Sequence, residues 1–145
     1  IAPGLINLEI TETASISART ILLENMKTLI NYGFTFSLDD FGKGESNLMY
    51  IVEMPVSIVK LDYDMLKAFF RSPKAKTVVQ AVVNMAHNMN LKMVAEGIET
   101  EEEIQGMSKE NIDYIQGYYY SCPVPQNDFL EFLRNNQPVL SSSAE

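Results

Sequence analysis

Cysteine is almost missing from this chain. Its 145 residues hold a single one, Cys122, so no internal disulfide framework can form, and a reducing, cytoplasmic setting is expected. Histidine is equally scarce. His87 stands alone inside a helical pattern, where a surface or packing role is expected, and there is no His/Cys set for zinc. Basic residues are outnumbered, 11 Lys and Arg against 19 Asp and Glu, for a net charge of −8. That balance excludes a general binder of DNA or RNA polymers, which needs a basic face. It leaves room for a small phosphate ligand, because bound divalent cations reverse a local field. No apolar run approaches the roughly 20 residues of a membrane span, so no membrane contact is expected of this segment. The glycines of "FGKGES" lack the spacing of a phosphate loop or a dinucleotide fingerprint.

Strand-like and helix-like patterns alternate along the chain. "LINLEIT" reads as a strand. "SISARTILLENMKTLINYG" reads as a helix with Leu22, Met26, Leu29 and Ile30 on one stripe, stopped by Gly33 at the C′ position. Alternation of Phe34, Phe36 and Leu38 marks a second strand, followed by a short helix in "SNLMYIVEMP" that ends at Pro55. "SIVKLD" is a third strand. "SPKAKTVVQAVVNMAHNMN" is a long helix burying Val78, Val79, Val82, Val83 and Ala86. "LKMVAEG" is a fourth strand, and Thr100 with Glu103 forms a capping box at the next helix start. "IDYIQGYYY" gives a weaker fifth strand whose tyrosines are expected to pack the barrel end. "NDFLEFLRNN" is a last amphipathic helix. One domain over 1–136 is expected, with 137–145 a flexible tail or linker. Because the chain opens without Met beside a strand, a fragment or processed product is also expected.

Five β/α repeats predict an α/β protein with a parallel sheet. Either an open sheet or part of a (β/α)8 barrel satisfies the repeats. The strand ends favour the barrel: Glu9, Asp39, Asp40, Lys60, Asp62, Glu96, Glu99 and Gln116 lie at or just past the C-terminal ends of successive strands. Barrel active sites are built at that face from several strands, whereas an open sheet gathers ligands at one switch point. A whole barrel needs roughly 200 residues or more, so the chain is expected to hold its five C-terminal β/α units. Carboxylates are hard ligands suited to Mg2+, Mn2+ or Ca2+. Adjacent Asp39 and Asp40 could share a bimetallic centre of the kind that drives in-line phosphoryl displacement. Lys60 could orient a water there, or simply form a structural salt bridge with a neighbouring Asp.

The segments "LEITET", "LDDFGKGESNL", "VKLD", "VAEGIET" and "QGYYYSCP" occur in the order and spacing of EAL-type cyclic di-GMP phosphodiesterases, and the chain resembles that family from about Leu5 to the last helix. The resemblance implies a (β/α)8 barrel with one antiparallel strand, two Mg2+ or Mn2+ ions, and hydrolysis of cyclic di-GMP to linear pGpG. It implies that Glu9 is a metal ligand, Asp39 bridges the two ions and Asp40 binds the second. Lys60 contacts the attacking water. Glu96 lies near the second metal and is the general-base candidate. Gln116 touches a metal-bound water or the substrate side. Glu12 fastens the glycine loop, and Asp62 and Glu99 support Lys60 and the metal shell. The loop Phe41, Gly42, Lys43, Gly44, Glu45 couples the site to dimerisation, so a homodimer, or the remainder of the parent barrel, is an expected partner.

Three departures accompany the resemblance. The usual loop resembles DFGTGYSSL, but Lys43, Glu45 and Asn47 stand here in place of a small residue, Tyr and Ser. Cys122 stands where Lys is common. The Glu-Ala-Leu signature, the strand with the metal-binding Asn and the substrate-binding Arg are all absent from the sequence. The polypeptide alone is therefore expected to be inactive, and to fold only with neighbours or another copy covering its open side. A non-catalytic cyclic di-GMP receptor and a protein-interaction module on the same fold are the alternative readings.

Overall fold

A computed structural model describes residues 1–11, 19–43 and 48–136. Five strands, β1 (Asn7–Thr11), β2 (Thr35–Phe41), β3 (Ile58–Leu61), β4 (Lys92–Ala95) and β5 (Tyr114–Ile115), alternate with six helices. These are α1 (Arg19–Asn31), α2 (Met49–Glu53), α3 (Tyr63–Arg71), α4 (Pro73–Asn88), α5 (Glu101–Ser108) and α6 (Gln126–Asn135). The strands pair parallel in the order β1-β2-β3-β4-β5. Each strand is thus added beside the one before it, always in the same direction. Right-handed crossovers repeated in one direction place every helix on the same face of the sheet. That is the winding of a (β/α)8 barrel, part of which this chain forms. A doubly wound sheet would reverse direction and cover both faces.

Side-chain alternation sorts the sheet into two faces. Leu38, Val59, Leu61, Met93 and Ala95 point to the helices and are fully buried with Met26, Leu66, Val79 and Met107. Each large aliphatic side chain removed from water there contributes about 1.5–3 kcal/mol. The opposite face is polar. Its lower layer is a chain of hydrogen bonds in which Asn7 Nδ2 donates to Thr35 Oγ1 at 3.0 Å and Ser37 Oγ donates to Asn7 Oδ1 at 2.7 Å.

The helix ends follow their sequence signals. Gly33 has φ +99° and its N–H reaches the Ile30 carbonyl at 2.8 Å, closing α1 as expected. Thr100 and Glu103 form the expected capping box of α5. Three expectations need correction. Val78 is exposed, while α4 buries Val79, Val83 and Ala86 as expected and Val82 in part. Tyr118, Tyr119 and Tyr120 are exposed rather than packed, and the Tyr119 hydroxyl turns outward to Glu101. α3 was not anticipated: the pattern between β3 and α4 holds a full helix, capped by Asp62 and burying Leu66 and Phe69. No residue of α6 is buried, although Phe129, Leu130, Phe132 and Leu133 lie along it. Among the described residues nothing pairs with the outer edges of β1 and β5. No helix among them is long and apolar enough to cross a membrane.

Candidate functional site

The site begins with an irregularity in β2. Leu38 pairs with Val59 and Phe41 with Leu61, so Asp39 and Asp40 together stand opposite the single residue Lys60. This is a β-bulge, a device that re-aims side chains at the ends of sheets. Asp40 takes the strain, with φ +56°, a conformation Asp tolerates better than most residues. The bulge turns the Asp40 carboxylate towards the following loop, where its Oδ1 lies 3.3 Å from Lys43 Nζ. Asp39 keeps the strand direction and faces Lys60 on the polar side of the sheet.

Lys60 is the centre of the arrangement. Only 5% of it is exposed, and its ammonium makes ion pairs with carboxylates from three other strands or strand ends. Glu9 Oε1 of β1 lies at 2.6 Å, Glu96 Oε1 just past β4 at 2.7 Å, and Asp39 Oδ1 of β2 at 3.2 Å. Burial alone would lower the Lys60 pKa, but the charges of Glu9, Glu96 and Asp39 around it outweigh burial and hold the ammonium above its ordinary range. Glu96 shifts upward as well, first because it is buried and further because Asp39 is close; Lys60 only partly reverses this. Asp39 Oδ1 is buried in an orientation that makes no hydrogen bond, even to the nearby lysine.

The remaining sequence candidates are distributed around this centre. Asp62 is buried, and its side chain accepts from the Asp64 N–H at 2.9 Å as the N-cap of α3. Glu99 faces Lys67, with Oε2 at 3.7 Å from Nζ, and makes no ion pair with Lys60. Gln116 is exposed just past β5, its backbone N–H bonded to the Ala95 carbonyl at 2.9 Å. Phe41 is buried, Gly42 has φ +101°, and Lys43 is exposed. Glu12, Gly44 and Glu45 lie outside the described residues, as do Asn47 and the tail at 137–145. His87 lies away from the centre and pairs with Asp113, its Nε2 2.8 Å from Asp113 Oδ2. A cleft of about 990 Å3 opens beside the centre, lined by Glu96, Gln116, Tyr118, Tyr120, Cys122 and the α6 residues Phe129 and Phe132.

Comparison with known proteins places this geometry. The EAL domain family profile matches residues 1–123. The chain belongs to the EAL-domain family. A cyclic di-GMP phosphodiesterase of Pseudomonas aeruginosa, NbdA, is 34% identical over 137 residues, which is 92% of this chain and 17% of that protein. The EAL enzyme Bd1971 in its cAMP- and cyclic-di-GMP-bound form is 33% identical with a TM-score of 0.85, over 92% of this chain and 35% of that one. BlrP1 of Klebsiella pneumoniae, solved as a manganese and cyclic di-GMP complex, is 28% identical with a TM-score of 0.78, over 85% of this chain and 31% of that one. The chain spans 16% to 33% of the length of the curated relatives it matches.

Two signals in this EAL domain bear on a metal and point in different directions. The donor chemistry fits hard divalent cations: all candidate ligands are carboxylates, and Asp39 offers a buried oxygen that lacks a hydrogen bond. The arrangement, however, is drawn in around Lys60, and among the described residues no group of three His, Cys, Asp or Glu side chains is set to hold a metal. The donor set is therefore suited to cations, with the lysine ammonium supplying the positive charge in the present geometry. Sequence reasoning missed Lys67 and Glu103, which tie the segments following Lys60 and Glu96 together. The signal for Glu103 lay in the capping box, but nothing local marked its cross-element partner.

Proposed function

We propose that this chain supplies the C-terminal face of a metal-dependent phosphodiesterase that cleaves cyclic di-GMP to linear pGpG. One observation carries the reading: Lys60, buried and protonated, gathers Glu9, Asp39 and Glu96 from separate strands at the face where barrels do chemistry, in a chain that belongs to the EAL family. Glu9, Asp39, Asp40 and Glu96 would hold two Mg2+ or Mn2+ ions. When bound, such a pair supplies Lewis acidity and charge neutralisation for in-line displacement at phosphorus. Lys60 donates hydrogen bonds to the attacking water. Glu96, adjacent to Lys60, receives the proton from that water. Gln116, at the rim of the cleft, contacts the substrate side. Asp62 supports the centre by capping α3 behind Lys60, and Glu99 by its pair with Lys67. The Lys43–Asp40 pair links the start of the loop after Phe41 to the site.

Completion of this site needs more sheet than the five strands provide. Among the described residues, the unpaired edges of β1 and β5 and the uncovered apolar side of α6 match a barrel whose further β/α units close the gap. A lone cysteine and a nucleotide substrate suit the cytoplasm. The test is to join the chain to the missing barrel units, incubate it with cyclic di-GMP and Mn2+ or Mg2+, and separate the products by chromatography. Metal-dependent pGpG that vanishes in Asp39→Asn supports the enzyme. Saturable binding of intact nucleotide without product would make the domain a receptor.

A further inference from the structure

The segments that follow Lys60 and Glu96 are tied to each other by groups that touch neither residue. Just past β3, Asp62 caps α3, and Lys67 lies one turn into that helix with its ammonium 4.9 Å from the Tyr63 ring centroid. The Tyr63 ring rests against Gly97, the residue after Glu96, so closely that a Cβ on Gly97 would fall 2.3 Å from Tyr63 Cδ2. Past Gly97 the chain is held by Glu103. Its Oε2 accepts from the Glu99 N–H at 2.8 Å and the Thr100 N–H at 3.3 Å. Its Oε1 accepts from Lys67 Nζ, which also lies 3.7 Å from Glu99 Oε2. Glu103 is 9% exposed, so its charge is removed from water and depends on this partner. Burial pushes its carboxyl up, yet Lys67 and the two N–H groups hold it below the ordinary range.

We propose that Lys67 and Glu103 form a positioning clamp that fixes Glu96 against Lys60, an assignment that rests on the phosphodiesterase reading above. One end of the clamp is anchored on the helix that starts two residues after Lys60's strand ends. The other closes the five-residue arc from Glu96 to Thr100. Lys60 and Glu96 are 2.7 Å apart, a spacing that side-chain contacts at the site alone do not secure against movement of either backbone. A displacement of about 1 Å at reacting groups costs on the order of a hundredfold in rate. Lys67 and Glu103 are positioning residues, since neither makes an ion pair or hydrogen bond with Glu9, Asp39, Lys60 or Glu96.

The experiment uses the completed barrel and three variants: Lys67→Met, Lys67→Arg and Glu103→Gln, the last retaining an acceptor for the loop amides. Amide hydrogen exchange at Gly97–Thr100 is read alongside kcat and KM for cyclic di-GMP hydrolysis. Lys67→Met is expected to speed exchange of these amides by about tenfold and lower kcat by about tenfold, with KM changed less than about twofold. Lys67→Arg is expected to restore most of both, and Glu103→Gln to fall between. Unchanged exchange in Lys67→Met overturns the clamp whether or not the domain is active. Faster exchange with wild-type kcat overturns its action on Glu96. Loss in KM alone, or no recovery with Arg, also overturns it. Absence of product from the wild type refutes the phosphodiesterase reading separately, and the exchange measurement then still decides whether the clamp holds the arc.

Discussion

Replacing Lys60 by Met in the completed barrel tests the electrostatic core of the site most directly. The side chain is nearly isosteric, so packing survives and the change isolates the charge. Three carboxylate oxygens at 2.6, 2.7 and 3.2 Å then face one another with no cation among them. Breaking a buried ion pair by removing one partner costs about 3–5 kcal/mol. Half of the Glu9 side chain is exposed and can turn back to water, which lowers the expected loss to about 2–4 kcal/mol near neutral pH. The pH dependence fixes the mechanism. Without the ammonium, Glu96 is a buried carboxyl whose folded pKa lies above its unfolded one. Such groups favour the fold fully below the unfolded pKa and lose that contribution as pH rises through the folded pKa. The penalty of Lys60→Met is therefore expected to shrink by about 1 kcal/mol or more between pH ~7 and pH ~5. Urea unfolding without added metal, at both pH values and with unchanged m, measures it. Added Mn2+ should also recover more stability in the variant than in the wild type, because the freed carboxylates bind the cation in place of the ammonium. A penalty below about 1 kcal/mol, or one independent of pH, would refute the claim that Lys60 holds these carboxylates together.

Other perturbations test the frame around the centre. A Cβ on Gly117 would fall 2.0 Å from the Ile98 carbonyl oxygen, and Ile98 is fully buried with its N–H and C=O both bonded, so Gly117→Ala is expected to cost about 3 kcal/mol or more in urea unfolding. Asp113 is pushed up by burial but held down to about 2 by Lys92, the Met93 N–H and His87. Its contribution is thus present above the unfolded value near 3.8 and lost as pH falls towards 2. Asp113→Asn should cost about 1–2 kcal/mol near neutral pH, discounted because Lys92 is largely exposed, and the difference from wild type should vanish in acid melts. Phe129→Asp with Leu133→Asp should weaken association of this chain with separately supplied barrel units by about tenfold or more in sedimentation, whereas Val78→Asp on α4 should not.

The strand ends were legible in the sequence because their signal is local: a short alternating apolar run followed at once by carboxylates, repeated along the chain. The capping box of α5 and Gly33 were legible for the same reason. α3 was not. Asp62 was read for its charge, yet the same carboxylate caps a helix, and the spacing of Leu66 and Phe69 was the available sign. The exposure of the tyrosines is not legible in the sequence, because packing is a property of the partner surface, which no residue in "GYYY" encodes. Lys67 and Glu103 escaped because they are 36 positions apart and meet only once two helices are placed. Sequence patterns report periodicity and caps, whereas ion pairs between elements depend on the winding of the sheet.

The paired aspartates show how one backbone irregularity resolves an electrostatic conflict. In a regular strand Asp39 and Asp40 would point to opposite faces, and one charge would enter the apolar layer between sheet and helices, at a cost of several kcal/mol. Placing both carboxylates on the polar side requires an extra residue in β2, which is what the pairing of Asp39 and Asp40 against Lys60 alone provides. Repulsion between the two is then limited by giving each its own cation, Lys60 for Asp39 and Lys43 for Asp40. The partners differ in kind. Lys60 is buried and fixed by two further carboxylates, whereas Lys43 is exposed on the loop after β2, where solvent screens its pair. The Asp40 carboxylate is consequently the one most readily released from its lysine.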